Sequence, residues 1–534
     1  MRSKLFNGSL ILVIFMILVQ AVIADSITVS GFVSGTWDVD TVYVTDDISI
    51  PEGESLVIFP GTLIRFEGMY ALYVRGSLQA QGLEGNPVIF KSGDTTGFSV
   101  DTLARGGWNG IRFYYTDPGA DSSIMEYCIF HHGKAVSQDS LRNYGGALSI
   151  QFFDKVRIDH CTFEDNFAFY NGGAVYLEEA DVLIRNSVFT GNRCGPPYDP
   201  YGYGGAVCSD HSEVIILDNS FNDNYSTGVG GAVAIRFRDA RLCNNSFTLN
   251  YSALGGAVGF LHYYENFHSQ CNNLFTQNGS VFFGGGIACI DAGPLFVNNT
   301  IAYNQSVYGG GLYVKDSLIP ALYNCILWGN TASGPGPQVY LWDSYASADF
   351  YYCNVQGGWE MFAGSGGGAG YTGIYENNIQ TNPEFTDTLS HDLTLSAGSP
   401  CINAGTPDTT GLFLYPYCLA GNARVIGGRI DMGCYESLFT GLQPSSALSR
   451  PGIIRIFPNP AQSETRIEFF LENIQYLELS VYDISGRLVK RENLGLFPEG
   501  LGQTIWNPDV KPGTYIICFR SGSGESWSKL VVSE

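Results

Sequence analysis

From residue 145 onward the chain alternates apolar and polar positions in short runs, each closed by a turn at a fixed distance. Val156/Ile158, Val182/Ile184 and Val214/Ile216 set apolar side chains two residues apart, the spacing of a strand with one buried face. Next comes an apolar column: Phe130, Phe163, Phe189, Phe221, Phe247, Phe275, Ile301, Leu327 and Val355. Three residues further stand Asn166, Asn192, Asn224, Asn250, Asn278, Asn304 and Asn330. Each following run opens on glycines, from Gly145-Gly146-Ala147-Leu148 through Gly172-Gly173-Ala174-Val175 to Gly309-Gly310-Gly311-Leu312. The period within each unit is two, which predicts two or three short strands per unit and excludes a helical solenoid.

Units this short cannot bury their own apolar faces, so they must stack on one another, and short strands with glycine turns stack as coils of a parallel β-helix. The expected class is all-β, a solenoid followed by a small C-terminal antiparallel β-sandwich. Glycine pairs suit a sharp corner, and asparagine suits left-handed geometry or an amide ladder between coils. Matches to the glycosylation pattern, such as Asn224-Tyr225-Ser226, then read as ladder members.

Residues 1–24 form a secretory signal: Arg2 and Lys4, then a mostly apolar run from Leu10 to Ile23 that falls short of the roughly 20 residues of a bilayer span. Residues 25–120 hold an N-terminal cap and first coils, 121–360 the repeats, and 361–440 closing coils and a cap. Residues 441–453 are a linker, and 454–534 alternate as the short strands of a sandwich. No later segment is expected to span a membrane in the mature chain.

Composition narrows the function. A net charge of −23 without a Lys/Arg cluster argues against a nucleic-acid partner. Hydrophobic residues at 45% and aromatics at 14% supply ample surface to bury. Thirteen cysteines in an exported chain can oxidise, and an odd count leaves one unpaired within a monomer. Cys128–Cys161, Cys243–Cys271 and Cys325–Cys353 share columns in adjacent coils; each pair is either a disulfide or a stack of thiols packed as small hydrophobes.

No carboxylate constellation at matched offsets marks a catalytic site, so no catalytic residue is assigned and no cofactor is expected. Glu178, Glu179 and Asp181, with Asp210 and Asp239 from later coils, come nearest; they form either a Ca²⁺-competent cluster or a solvated acidic edge. Tyr198, Tyr201 and Tyr203 lie in an insertion, as do Tyr263 and Tyr264, and insertions on a solenoid tend to fall on its binding face. These tyrosines either stack on sugars or a partner, or pack against the rod.

The words GGAV with FEDN, FTGN, FNDN, FTLN and FTQN resemble the repeats of the polymorphic outer-membrane protein family of surface adhesins over roughly 120–335. The same words occur across exported right-handed β-helix proteins, so the resemblance implies a right-handed parallel β-helix. Members of that adhesin family end in an autotransporter barrel, and this C-terminus does not resemble one. Instead Phe457-Pro458-Asn459-Pro460, Val481-Tyr482-Asp483 with Gly486-Arg487, Trp506, Pro512-Gly513-Thr514-Tyr515 and Lys529-Leu530-Val531-Val532 resemble the C-terminal sorting domain of the type IX (Por) secretion system. That resemblance implies engagement of the type IX machinery through 454–534. It also implies signal-peptide cleavage and delivery to the outer cell surface or the extracellular space. The function expected is an adhesin or a glycan- or surface-binding protein, the alternative being a polysaccharide lyase or glycoside hydrolase on the same scaffold.

Overall fold

The computed structural model describes residues 25–196, 201–263, 269–426 and 428–438, and in the C-terminal segment 452–457, 461, 465–471, 475–483, 487–497, 500–507, 510–521 and 524–532. The signal segment lies outside the described residues.

The chain winds as a right-handed parallel β-helix, and a repeating coil carries four strands in fixed order. In one coil Val175–Glu178 follows the glycine pair, then come Leu183–Arg185, the phenylalanine strand Val188–Thr190 and the two-residue Arg193–Cys194. The next coil repeats them as Val207–Asp210, Val214–Leu217, Ser220–Asn222 and Tyr225–Ser226. Like pairs with like, in parallel, so that Phe163, Phe189, Phe221 and Phe247 share one register. Parallel sheets of 23, 13 and 8 strands result. The largest holds both the glycine-following and the phenylalanine strands. Thr41–Ile50 joins the two sets, pairing with Leu63–Phe66 through its first half and with Leu72–Val74 through its second. The fourth strand goes unseen in the sequence because two residues cannot display an alternation.

Stacked coils make stacked side chains. Ring centroids lie 4.7 Å apart for Phe163–Phe189, 4.8 Å for Phe189–Phe221 and 4.9 Å for Phe221–Phe247, with planes within 10°. These separations match the strand spacing, so a ring repeated at one register must contact its copy. Each such pair contributes about 0.5–1.5 kcal/mol beyond the burial of its area.

The two glycines of a pair serve different needs. Gly172 sits at φ +65°, which costs a side chain about 1–2 kcal/mol. Gly173 is needed for space: a Cβ there would stand 1.9 Å from the carbonyl oxygen of Gly205 in the next coil.

The asparagine column does not take the left-handed geometry. That falls on the residue before it, as at Asp165, Asp223 and Leu249, with φ of 52°, 53° and 58°. The asparagines instead form a buried ladder. Asn224 donates Nδ2–H to Phe189 O at 3.0 Å and to Asn250 Oδ1 at 2.9 Å, while its own Oδ1 accepts N–H and Nδ2–H of Asn192, each at 3.0 Å. An amide so enclosed is closed to glycosylation.

A second ladder runs at the bend before the phenylalanine strand. The N–H of Cys161 donates to Ser187 Oγ, Ser187 to Asn219 Oδ1, Asn219 to Asn245, Asn245 to Asn273 and Asn273 to Asn299. It continues through Asn299 N–H on Cys325 Sγ at 3.5 Å and Cys325 N–H on Cys353 Sγ at 3.3 Å. The thiols of Cys128, Cys161, Cys325 and Cys353 are buried and unbridged, and Cys353 donates to Leu322 O much as Asn245 donates to Ile216 O. Cys243 and Cys271, on the outer side of the neighbouring sheet, form a disulfide with Cα atoms 4.6 Å apart.

After the last coils, residues 403–437 turn back along the flank as a strap. The N–H of Thr406 donates to Asn324 Oδ1 at 2.7 Å, Asn298 Nδ2 to Asp431 O at 2.7 Å, Asn272 Nδ2 to Tyr417 O at 2.7 Å, and Tyr415 OH to Asp218 Oδ2 at 3.1 Å. Those four rod residues all have positive φ, which turns their side chains out at one corner. Leu412 and Tyr415 cover Leu217, Val297 and the disulfide. A buried pair, Arg424 Nη2 with Glu436 Oε2 at 2.9 Å, pins the strap end.

The C-terminal segment folds as antiparallel sheets of three and four strands around Ile467, Phe469, Leu479, Ile517 and Phe519.

Candidate functional site

The outer side of the glycine-following strands is where chemistry gathers. Period two sends Val175 and Leu177 inward and Tyr176 and Glu178 outward, and the same split recurs in every coil. One outward file therefore reads Ser149, Tyr176, Cys208, Ala234, Gly259, Ala288, Tyr313 and Tyr340, each in register with the next. Beside it run Gln151, Glu178, Asp210, Arg236, Leu261, Ile290 and Lys315, with Trp342 at the corresponding position after Leu341. The face is charged toward one end, small in the middle and aromatic toward the other.

At the charged end Glu178 and Asp210 lie directly opposite each other in adjacent strands, about 4.8 Å apart by strand spacing. The sequence named both residues, as part of a cation-competent cluster or a solvated edge; the register makes them a carboxylate pair at matched offsets. Asp210 bonds Arg236 Nη1 through Oδ2 at 2.6 Å and His211 Nδ1 through Oδ1 at 2.8 Å. Burial, with the charge of Asp210, pushes the Glu178 carboxyl above its usual range. Tyr203 lies beneath the Arg236 guanidinium, 4.4 Å from ring centroid to Cζ. Tyr144 packs on Tyr176 at 4.6 Å, and burial drives the Tyr176 phenol far above its usual pKa.

At the aromatic end five rings meet. Phe283 stacks on Tyr313 at 4.7 Å and 28° and lies near Tyr308 at 5.3 Å, while Tyr308 approaches Tyr340 at 5.1 Å. Trp342 meets Phe283 edge to face, at 5.0 Å and 86°, and is 42% exposed. Phe282, next to Phe283, is 52% exposed. On the adjoining corner Tyr225 and Tyr251 stack in register at 6.3 Å, both more than two-fifths exposed. Tyr313 itself is buried, and Phe282, Trp342, Tyr225 and Tyr251 leave apolar surface exposed on the outside of a rod already supplied with a core.

The residues singled out from sequence fall around this face rather than at its centre. Tyr201 is 70% exposed and Tyr203 packs under Arg236; Tyr198, Tyr264 and the side chain of Tyr263 lie outside the described residues. Glu178, Glu179 and Asp181 are not gathered. Glu179 turns out at φ 45°, and Asp181 accepts the N–H of Glu213 at 2.8 Å. Among the described residues the group of metal-competent side chains is a different one: Glu126, Asp159 and His160, with ligand atoms within 4.8 Å of one another. Its charge is already met by the protein. Arg185 binds Asp159 through Nε at 2.8 Å and Nη2 at 2.7 Å, Asn186 adds a bond at 3.0 Å, and Arg157 holds Glu126 at 3.2 Å. Burial works to raise the Asp159 pKa, but the bonds from Arg185 and Asn186 outweigh it and hold the carboxyl below its usual range.

Missed from sequence were Phe283, Tyr308, Tyr313, Tyr340 and Trp342. The available signal was the column just after the apolar residue that follows each glycine group, where Tyr176, Tyr313 and Tyr340 recur.

Two family models match the chain. Residues 88–301 match the right handed beta helix region, and residues 455–533 match the secretion system C-terminal sorting domain. A search of the curated proteins found no match. The sorting-domain match marks the chain as cargo of the type IX secretion system, delivered to the cell surface or beyond. No helix among the described residues is long and apolar enough to cross a membrane.

Proposed function

We propose that this exported rod binds glycans, on its own cell's surroundings or on a neighbouring surface, through the aromatic end of the glycine-following face. The observation that carries the reading is the cluster of Phe283, Tyr308, Tyr313, Tyr340 and Trp342, supported by coils that fix each ring at the strand spacing. Rigid aromatic side chains offer large contact area at little entropic cost, and their faces suit the C–H surfaces of sugar rings. Sedimentation with insoluble polysaccharides and retention on a glycan array test it. The Tyr308→Ala/Trp342→Ala double variant should lose binding at least about tenfold, the cost of removing a buried aromatic anchor. Unchanged binding by that variant would refute the assignment.

A second reading is favoured by one specific observation, the in-register Glu178 and Asp210. A carboxyl raised by burial beside a carboxylate bonded to an arginine matches the pairing that glycoside hydrolysis uses, with a general acid and a nucleophile or base. Release of reducing ends from a polysaccharide, abolished by Glu178→Gln with Trp342 intact, would establish an enzyme. Retention without turnover leaves the binding reading.

A further inference from the structure

We propose that the glycan held at the aromatic end is uncharged, a neutral polysaccharide rather than a polyuronate or sulfated polymer; this rests on the glycan-binding reading above. The first support is the sign of the local field. Asp316 follows Lys315 at φ 73°, and its N–H donates to Asp343 Oδ2 at 3.2 Å, while Asp343 Oδ1 accepts the N–H groups of Tyr345 and Ala346, each at 2.9 Å. Asp343 is thereby fixed directly after Trp342, at the rim of the ring cluster. At the rim two carboxylates, Asp316 and Asp343, thus stand against the single ammonium of Lys315, and after burial their charges add to pushing the Tyr313 phenol up.

The second support is the shortage of cations. In the two outward files from Gly259 and Leu261 to Tyr340 and Trp342, Lys315 is the one Lys or Arg among the described residues. The nearest guanidinium further up the second file, Arg236, is committed to Asp210 at 2.6 Å and to the face of Tyr203. A polyanion approaching this end would pass through the field of a chain carrying −23 and meet one ammonium group. Carboxylates and phenols are, in contrast, ready acceptors for the hydroxyl groups of a neutral sugar lying against the rings.

The test is native affinity electrophoresis of the full chain in gels containing a neutral polymer (mixed-linkage β-glucan, xyloglucan or galactomannan) or a polyuronate (alginate or polygalacturonate), at low and high salt. The expected result is retardation by at least one neutral polymer, changing less than about twofold with salt because no ion pairs are released. Trp342→Ala should weaken it at least about tenfold, and Lys315→Ala should leave it unchanged. Thermal melts should show both variants folded well above the assay temperature, with Trp342→Ala below the wild type because it loses its ring contacts with Phe283, Tyr313 and Tyr340. Retardation by a polyuronate alone, lost at high salt and in Lys315→Ala, would overturn the neutral class while the glycan reading stands. No retardation by any of the five polymers, together with no retention on the array, would overturn both.

Discussion

Replacing Asn224 by alanine removes one rung from the first amide ladder and tests whether the rod is held by those rungs or only by its apolar core. In the wild type Asn224 Oδ1 accepts both the backbone N–H and one Nδ2–H of Asn192, and Asn224 Nδ2 donates to Phe189 O and Asn250 Oδ1. Asn224 is 1% exposed and Asn192 fully buried, so water cannot replace the lost partner without opening the coil. Two orphaned donors at about 1–3 kcal/mol each give a loss of about 2–6 kcal/mol, against about 1 kcal/mol for an average hydrogen bond lost at a solvated site. Guanidinium unfolding followed by circular dichroism supplies the measure, with the slope m unchanged so that only stability has moved. Hydrogen exchange adds a local check: the Asn192 amide should lose protection more than amides several coils away, because solenoid coils couple to their neighbours. A loss below about 1 kcal/mol, or protection lost evenly along the rod, would refute the reasoning.

Two further outcomes follow from particular residues. Leu249 occupies a left-handed position at φ 58° with half its surface exposed, so Leu249→Asn should raise stability by about 0.5–1 kcal/mol in the same unfolding assay, and a loss would show that its side chain packs. Burial lifts the Glu436 carboxyl to about 7 despite Arg424, and burial raises Asp431 as well. A raised carboxyl pKa favours the folded strap fully below its unfolded value of about 4.3, and that contribution is lost as pH climbs through about 7. Limited proteolysis within 403–437 should therefore run faster at about pH 8 than at about pH 5, and Glu436→Gln should flatten the difference.

The repeated letters were legible because a solenoid asks the same side chain to meet its copy. Phe163 through Phe275 and Asn166 through Asn330 do one job with one residue type, and both columns form the stacks and ladders their spacing implies. The second ladder was hidden for a physical reason. A thiol, a hydroxyl and an amide can each accept the N–H of the neighbouring coil, so Cys161, Ser187, Asn219 and Cys353 are one column in space without being one letter in sequence. The aromatic end was hidden because its rings come from different columns: Phe283 and Tyr308 precede glycine groups, Tyr313 and Tyr340 follow them, and Trp342 lies two residues beyond. Only the winding brings these together. The strap carries no periodicity, since its partners are a corner of the rod and not copies of itself.

The strap also decides how the molecule carries load. Its last described residues are anchored beside the coils of Asn272 and Asn298, through Asn272 with Arg424 and Asn298 with Asp431, and not at the final winding. A tug transmitted through the segment beyond 438 enters the flank, across several coils at once. Rupture must then break many lateral bonds together in shear, whereas traction on a terminal coil would peel the thread off one turn at a time.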